Sequence, residues 1–308
     1  MTLEADRSTD SASLVAPRRR TLRIQTPTGP GDIAGLEFGD PARPIDVIFL
    51  NANGFNAMTY RAMLSPLAAD LRILAIDQQG HGRSPQREPI ATRNSWLGFR
   101  DDLVGVLDAL DGPPVVLAGH SMGGTSCVLA TPERPARVKA LALFDPVIMA
   151  KATAEAMRAG TQPMNESPLV AGALRRRAVF PSREAAIDSY RGRGAFRTWP
   201  EQALVDYVAD GFRDRDDGEV ELSCTPQWEA SNFSSHAHDP CAAMHAIRVP
   251  VGILRAEQGS TCSVTSADDF IADNPAMTVE TVPGTTHFLP IERADAARAL
   301  LRKMSGRG

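Results

Sequence analysis

Ser121 is the residue of this chain whose surroundings best suit a nucleophile. It lies in Gly-His-Ser-Met-Gly at residues 119–123, after an apolar run that begins at Val115 and before a small-residue segment that ends at Ala130. A strand, a sharp turn and a helix in this order are the context in which Gly-x-Ser-x-Gly exposes its serine hydroxyl. The turn requires small residues two positions to either side, because the backbone approaches itself closely there. The pattern predicts a serine that attacks a carbonyl carbon.

A serine nucleophile needs a histidine base, and His287 is the strongest of the six candidates. It lies in Pro-Gly-Thr-Thr-His-Phe-Leu-Pro at residues 283–290, after the last apolar run and before the final helix. The order serine, acid, histidine suits this arrangement of strands and helices. His120 is expected to pack beside the elbow and is retained as a candidate substrate contact, whereas His81 is expected to be structural.

Two backbone N–H groups are expected to form an oxyanion hole. One belongs to Met122, the residue after the nucleophile, and the other belongs to Phe55 in the loop that follows Leu50. The side chain of Asn53 in that loop either maintains the loop shape or lines the substrate pocket.

Together these motifs resemble those of the α/β-hydrolases over residues 21–305. The Asn-Gly-Phe loop at 53–55 resembles the family's His-Gly-x motif, and Asp-Gln-Gln-Gly-His-Gly-Arg-Ser at 77–84 resembles its Asp-x-Arg-Gly-His-Gly-x-Ser turn. Asn53 replaces the usual histidine, and Gln79 replaces the usual arginine. The resemblance implies an α/β fold with a mostly parallel eight-stranded sheet flanked by helices, and a helical cap inserted after the sixth strand.

The acid that should orient the histidine has more than one candidate in this sequence. In most α/β-hydrolases an aspartate follows the first strand after the cap, but here the only acidic residue in the corresponding loop at 255–260 is Glu257. This loop resembles that of the haloalkane dehalogenases that carry their acid after the preceding strand, where this chain has Asp145. Asp145 is therefore favoured, with Glu257 as the alternative and Asp268 and Asp269 as weaker choices. Because Ser121 is not a carboxylate, dehalogenase chemistry is not expected.

The order of the patterns predicts the domain organisation. Two alternating segments, at 21–26 and 33–38, predict an antiparallel hairpin, and the following apolar runs separated by helical patterns predict a parallel sheet. We expect a disordered lead at 1–20, a core formed by 21–146 and 247–308, and a helical cap at 147–246. The cap lies where the carboxyl ends of the strands open.

Composition limits the possible partners. A net charge of −4 gives no basis for binding nucleic acid, and no apolar run approaches the roughly 18–20 residues that span a bilayer. The N-terminus lacks a signal-peptide pattern, and the four scattered cysteines do not suggest a zinc or disulfide framework. We expect a cytoplasmic monomer or homodimer that needs no cofactor or metal.

The expected activity is hydrolysis of a small to medium carboxylic ester, apolar or aromatic, through an acyl-enzyme. Cap aromatics suggest the pocket, with Trp199 and Trp228 as candidate substrate contacts. Two alternatives remain at this stage, which are a C–C bond hydrolase of vinylogous diketones and a ligand-binding receptor with vestigial turnover.

Overall fold

The computed structural model describes residues 16–159, 167–265 and 269–307. The strands are β1 (Arg18–Thr26), β2 (Gly29–Phe38), β3 (Val47–Leu50), β4 (Ile73–Ile76), β5 (Val115–His120), β6 (Val138–Phe144), β7 (Val179–Phe180), β8 (Phe212–Asp214), β9 (Val220–Leu222), β10 (Val251–Ala256) and β11 (Met277–Val282). The helices are α1 (Arg61–Leu64), α2 (Leu97–Ala109), α3 (Met122–Ala130), α4 (Lys151–Arg158), α5 (Pro168–Leu174), α6 (Arg183–Tyr190), α7 (Glu201–Gly211), α8 (Pro226–Ser234), α9 (Pro240–Ala246), α10 (Asp269–Asp273), α11 (Leu289–Glu292) and α12 (Ala294–Ser305).

Eight strands form the predicted large sheet, in the order β1-β2-β4-β3-β5-β6-β10-β11. The pairs β1–β2 and β2–β4 are antiparallel and the remaining pairs are parallel. Strands β3, β4 and β5 are buried along their whole length, as their continuous apolar sequences predict. Two apolar clusters cover the sheet, one containing α1 and α12 and the other containing α2, α3 and α9.

The first hairpin differs from the prediction in its length. Its ladder runs from Arg18↔Glu37 to Thr26↔Gly29, so the turn contains only residues 27–28. Gly29, at φ 115°, supplies the backbone conformation for this tight turn. The expected disordered lead at 1–20 is therefore wrong for residues 18–20, which form the start of β1, while residues 1–15 lie outside the described ranges.

The segment between β6 and β10 is helical but also contains a small antiparallel sheet, in the order β7-β9-β8. The prediction of a wholly helical cap missed this sheet, because strands of two or three residues are too short to show an alternating pattern. The last helix of the segment, α9, was expected to belong to the cap but packs against the core. Met244 of α9 lies in the apolar cluster of α3 and the large sheet, so α9 belongs with the core by its contacts.

Helix α7 of the cap is attached to the core by arginine–carboxylate pairs. Arg61 makes two bonds to Asp206, with Nη2–Oδ1 and Nε–Oδ2 distances of 2.6 and 3.0 Å. Asp210 accepts from Arg19 at 2.8 and 2.9 Å and from Arg83 at 3.1 Å. Both aspartates are buried, so removal of the arginine partner would leave a buried carboxylate without its compensating charge. Within the described ranges, no helix has the length and apolar character that a bilayer crossing would require.

Candidate active site

Ser121 lies at the junction of β5 and α3, in a backbone conformation that is rare for a residue with a side chain. Its φ is 54° and its ψ is −121°, which places it in the strained region typical of functional turns. A Cβ atom on Gly119 would lie 2.6 Å from the Gly123 carbonyl oxygen, and one on Gly123 would lie 2.5 Å from the Leu50 carbonyl oxygen. Both flanking positions therefore require glycine, which is the physical basis of the Gly-x-Ser-x-Gly pattern.

The structure brings Ser121, His287 and Asp145 into one hydrogen-bonded line. The Ser121 Oγ–His287 Nε2 distance is 2.9 Å, and the His287 Nδ1–Asp145 Oδ2 distance is 2.6 Å. These side chains follow β5, β11 and β6, whose carboxyl ends meet at one edge of the sheet. This is the geometry in which a histidine can take a proton from a serine while a carboxylate holds the imidazole in the required tautomer.

Glu257, the alternative acid, lies away from the imidazole. Its Oε2 accepts the N–H of Gly284 at 2.9 Å in an exposed position, so it supports the loop that leads to His287. The structure therefore contradicts the alternative that Glu257 orients the histidine. Asp268 and the side chain of Asp269 lie outside the described residues.

The Asp145 carboxylate is fully buried, and five donor groups surround it. Oδ1 accepts the Ala256 N–H at 2.8 Å and the Ser260 hydroxyl at 2.5 Å. Oδ2 accepts the Thr261 N–H at 3.0 Å, the Thr261 hydroxyl at 3.4 Å and His287. Burial by itself would raise the pKa of this carboxyl, but the bonds from His287, Ser260 and Ala256 hold the pKa below its ordinary value. Asp145 is therefore an anion, and its φ of 44° marks a second strained position.

The sequence analysis missed the role of Ser260 and Thr261. They occupy the loop after β10, where most relatives were expected to carry the acid itself, and here the loop supplies donors to an acid on the neighbouring strand. The available signal was the pair of hydroxyl residues next to Gly259, at the position where an aspartate was missing.

Only one of the two expected oxyanion donors is free of a backbone partner. Met122 is the first residue of α3, so its N–H has no acceptor within the helix. The Phe55 N–H, however, donates to the Ala52 carbonyl at 3.1 Å. This is a correction, since Phe55 was expected to aim its N–H into the site. The cause is the tight turn at 52–55, in which Gly54 adopts a φ of 77°.

Two buried polar side chains maintain the shape of this loop. Asn51 donates to the carbonyls of Ala52 and Phe55 at 2.8 and 3.0 Å. Asp77 accepts the N–H groups of Ala57 at 2.7 Å and Arg83 at 2.9 Å. Burial raises the pKa of Asp77 to about 7. The loop is therefore fixed at both ends by side chains that lie outside the Asn-Gly-Phe motif itself.

Three of the four expected substrate contacts have other roles in this structure. Asn53 donates to the Glu229 carbonyl at 3.0 Å and accepts from Asn232 at 2.8 Å, so it joins the oxyanion loop to α8. His120 is fully buried, with both ring nitrogens bonded. Trp228 is fully buried, and its indole N–H donates to the Gln79 carbonyl at 3.2 Å. The small size of Gly80, which contacts the Trp228 ring, admits this packing.

Trp199 is the expected contact that packs against side chains flanking the site. Its ring is edge-on to Phe55 of the oxyanion loop, with centroids 5.0 Å apart, and lies 5.8 Å from Phe288, the neighbour of His287. It is 9 % exposed, and its indole Nε1 has no hydrogen-bond partner among the described residues. A buried donor without an acceptor is unusual, and a bound ligand could supply the acceptor.

Nothing in the described part of the chain gathers three or more histidine, cysteine, aspartate or glutamate side chains in an arrangement that could hold a metal ion.

Comparison with known proteins places the chain in a family. The model of the "Alpha/beta hydrolase family" matches residues 47–300. The chain is 23% identical to the 2-(acetamidomethylene)succinate hydrolase of Mesorhizobium japonicum over 248 residues, which cover 79% of this chain and 81% of that protein. It is 35% identical to the mouse sn-1-specific diacylglycerol lipase over 111 residues, or 35% of this chain and 34% of the lipase.

The fold is also found in solved structures. The peroxisomal α/β-hydrolase Lpx1 of Saccharomyces cerevisiae superposes with a TM-score of 0.74 at 16% identity, covering 94% of this chain and 88% of that one. At this identity the likeness concerns the fold alone, whereas the family match spans most of the sequence. This chain belongs to the alpha/beta hydrolase family.

Proposed function

We propose that this protein is a serine hydrolase that cleaves a carboxylic ester through an acyl-enzyme, with Ser121 as nucleophile, His287 as base and Asp145 as the acid. The observation that carries the proposal is the pair of distances, 2.9 Å from Ser121 Oγ to His287 Nε2 and 2.6 Å from His287 Nδ1 to Asp145 Oδ2. A ligand-binding receptor with vestigial turnover is disfavoured, because Ser121, His287 and Asp145 have the hydrogen-bond spacing that turnover requires.

The reaction then proceeds in two steps. His287 takes the proton of the Ser121 hydroxyl as Oγ attacks the ester carbonyl, and the resulting imidazolium protonates the departing alcohol. His287 next takes a proton from a water molecule as the water oxygen attacks the acyl carbon, and the imidazolium then returns that proton to Ser121 Oγ as the carboxylic acid is released. The carbonyl oxygen becomes an oxyanion in each step and accepts from the Met122 N–H.

The surroundings favour an uncharged, apolar or aromatic substrate. Phe55, Trp199 and Phe288 form an aromatic wall between the oxyanion loop and the histidine. The guanidinium of Arg176 lies close to that loop, since its Nη1 would lie 3.5 Å from a Cβ atom on Gly54. Its charge is already neutralised by an ion pair with Glu229. A substrate carboxylate would have to displace Glu229, so recognition of an anion is disfavoured.

The catalytic part of the proposal is tested with p-nitrophenyl acetate and butyrate. We expect the wild-type protein to turn over at least one of them and Ser121→Ala to show no turnover above the uncatalysed rate. A fluorophosphonate probe should label Ser121 in the wild type, as seen by mass spectrometry of the modified peptide. Absence of both turnover and labelling in the wild type would refute a serine hydrolase.

The pocket is tested with a series of p-nitrophenyl esters of increasing acyl length. Trp199→Phe should change the ratio of kcat/KM between long and short acyl chains by about 3- to 10-fold, because it alters an apolar contact made by only part of the series. Trp228→Phe is the matched control, since that ring is equally aromatic but fully buried behind Gly80. An unchanged ratio in Trp199→Phe would place the acyl pocket elsewhere.

A further inference from the structure

Both ring nitrogens of His120, the residue before the nucleophile, make short hydrogen bonds inside the protein. Nε2 lies 2.7 Å from the backbone carbonyl oxygen of His287, and Nδ1 lies 2.8 Å from the hydroxyl of Tyr60. The Tyr60 oxygen in turn lies 3.1 Å from the backbone nitrogen of Ala52, in the oxyanion loop. His120 and Tyr60 are both fully buried, so bulk water does not compete for these bonds.

The chemistry of the partners fixes every proton in this chain of bonds. A backbone carbonyl can only accept, so the His120 Nε2 carries a proton and donates it to the His287 oxygen. Burial lowers the pKa of His120 to about 3, so the ring is neutral and Nδ1 is an acceptor. The Tyr60 hydroxyl therefore donates to Nδ1, and its oxygen accepts from the Ala52 N–H. With this single tautomer of His120, each of the hydrogen bonds from the His287 carbonyl to the Ala52 N–H has one donor and one acceptor.

This arrangement holds together three parts of the proposed machinery. Ala52 belongs to the oxyanion loop, and its carbonyl is the acceptor of the Phe55 N–H. His120 immediately precedes Ser121 in the sequence, and its ring Nε2 bonds the backbone carbonyl of His287. The His120 and His287 rings lie with their centroids 5.0 Å apart.

We propose that Tyr60 and His120 are positioning residues, which fix the backbone of His287 relative to the nucleophile elbow and the oxyanion loop. The inference rests on the proposed function, because it assigns a role within that reaction. His287 follows a turn after β11 and its side chain is 22 % exposed, so packing alone constrains it less than the buried Ser121. An error of about 1 Å in the placement of a reacting group can cost about 100-fold in rate. The hydrogen bond from His120 Nε2 to the His287 carbonyl limits such a displacement of the His287 backbone.

The tautomer is measured by long-range proton–nitrogen NMR correlation on protein labelled with 15N-histidine. We expect the His120 ring to stay neutral from pH 5 to pH 8, because its pKa lies at about 3, with a protonated Nε2 and an unprotonated Nδ1. The signal is assigned to His120 by its loss in His120→Gln. A protonated Nδ1, or titration of His120 near its ordinary pKa, would overturn the proposal whether or not any ester is hydrolysed.

The positioning role is measured as the rate of Ser121 phosphonylation and as kcat and KM for the best ester. Tyr60→Phe and His120→Leu should each lower the phosphonylation rate and kcat by about 10- to 100-fold, with KM within about threefold. His120→Gln can still donate an N–H to the His287 carbonyl and should recover to within about fivefold of the wild type.

Tyr207→Phe is the matched control, because its equally buried hydroxyl bonds Arg176 at 2.7 Å in the cap and does not contact the His287 backbone. It should stay within about twofold of the wild type. Unimpaired phosphonylation in both Tyr60→Phe and His120→Leu would overturn the positioning role alone. A wild-type protein that never reacts with the probe would overturn the proposed function and the positioning role together.

Discussion

The substitution Asp145→Asn is the sharpest test of how this site works, because the shape of the side chain is kept while one acceptor becomes a donor. Asp145 accepts from Ala256 N–H and the Ser260 hydroxyl at Oδ1, and from Thr261 N–H, the Thr261 hydroxyl and His287 at Oδ2. Whichever way the asparagine amide is oriented, its NH₂ group faces a backbone N–H. Only the carboxylate form can accept from both backbone N–H groups and from His287.

The size of the effect follows from these contacts. An NH₂ group at the Oδ2 position makes His287 Nδ1 an acceptor and moves the imidazole proton to Nε2, where the ring cannot take a proton from Ser121. A tautomer change of this kind lowers kcat by about 10³- to 10⁴-fold, which corresponds to about 4–5.5 kcal/mol of activation free energy. The buried N–H that loses its acceptor should lower the free energy of unfolding by about 1–3 kcal/mol.

The assay compares kcat for p-nitrophenyl butyrate with urea unfolding of the same preparations. Glu257→Gln is the control, because that exposed carboxylate bonds only the Gly284 N–H among the described residues, and it should retain kcat within about threefold. The reasoning is refuted if Asp145→Asn keeps more than about a tenth of wild-type kcat, or if Glu257→Gln is the variant that loses activity.

Three further predictions concern the neighbourhood of the site. Ser260→Ala removes a donor to the Asp145 anion, so the pKa of that carboxyl in the folded protein should rise toward its ordinary 3.8. The stability that the lowered pKa contributes is present above the ordinary pKa and is lost as the pH falls through the folded pKa. Acid unfolding should therefore occur at a higher pH in Ser260→Ala than in the exposed control Ser263→Ala. The pKa of His120 lies at about 3, below its ordinary 6.5, so the unfolded chain binds a proton between these values and the folded chain does not. Urea unfolding at pH 6.5 and 4.5 should therefore show wild type losing about 2 kcal/mol more than His120→Gln, and equal losses would contradict this. Asp206→Asn leaves Arg61 without its bidentate partner, so the free energy of unfolding measured in urea should fall by about 1–3 kcal/mol. Limited proteolysis should also cleave the cap faster in this variant. An unchanged cleavage rate would argue that this ion pair does not attach the cap to the core.

Much of the fold follows from local sequence patterns. The continuous apolar runs predicted the buried strands β3 to β6, and the alternating runs predicted the antiparallel hairpin, because the burial of each face dictates which residues can occupy it. The small sheet of the cap was missed, since β7, β8 and β9 contain only two or three residues each. The start of β1 was also missed, because three consecutive arginines show no apolar alternation, although Arg18 and Arg19 pair with Glu37 and Asp210.

By itself, the sequence determined the elbow. Gly-x-Ser-x-Gly specifies a backbone shape that only small flanking residues permit, and such a local steric requirement leaves its mark in five consecutive letters. The choice between Asp145 and Glu257 depended on tertiary structure, because both follow neighbouring strands and only the direction of each side chain separates them. The same holds for Ser260, Thr261, Tyr60 and His120, whose partners lie between about 60 and 170 residues away in the chain. Contacts over such separations exist only once the parallel sheet has brought the ends of its strands to one edge.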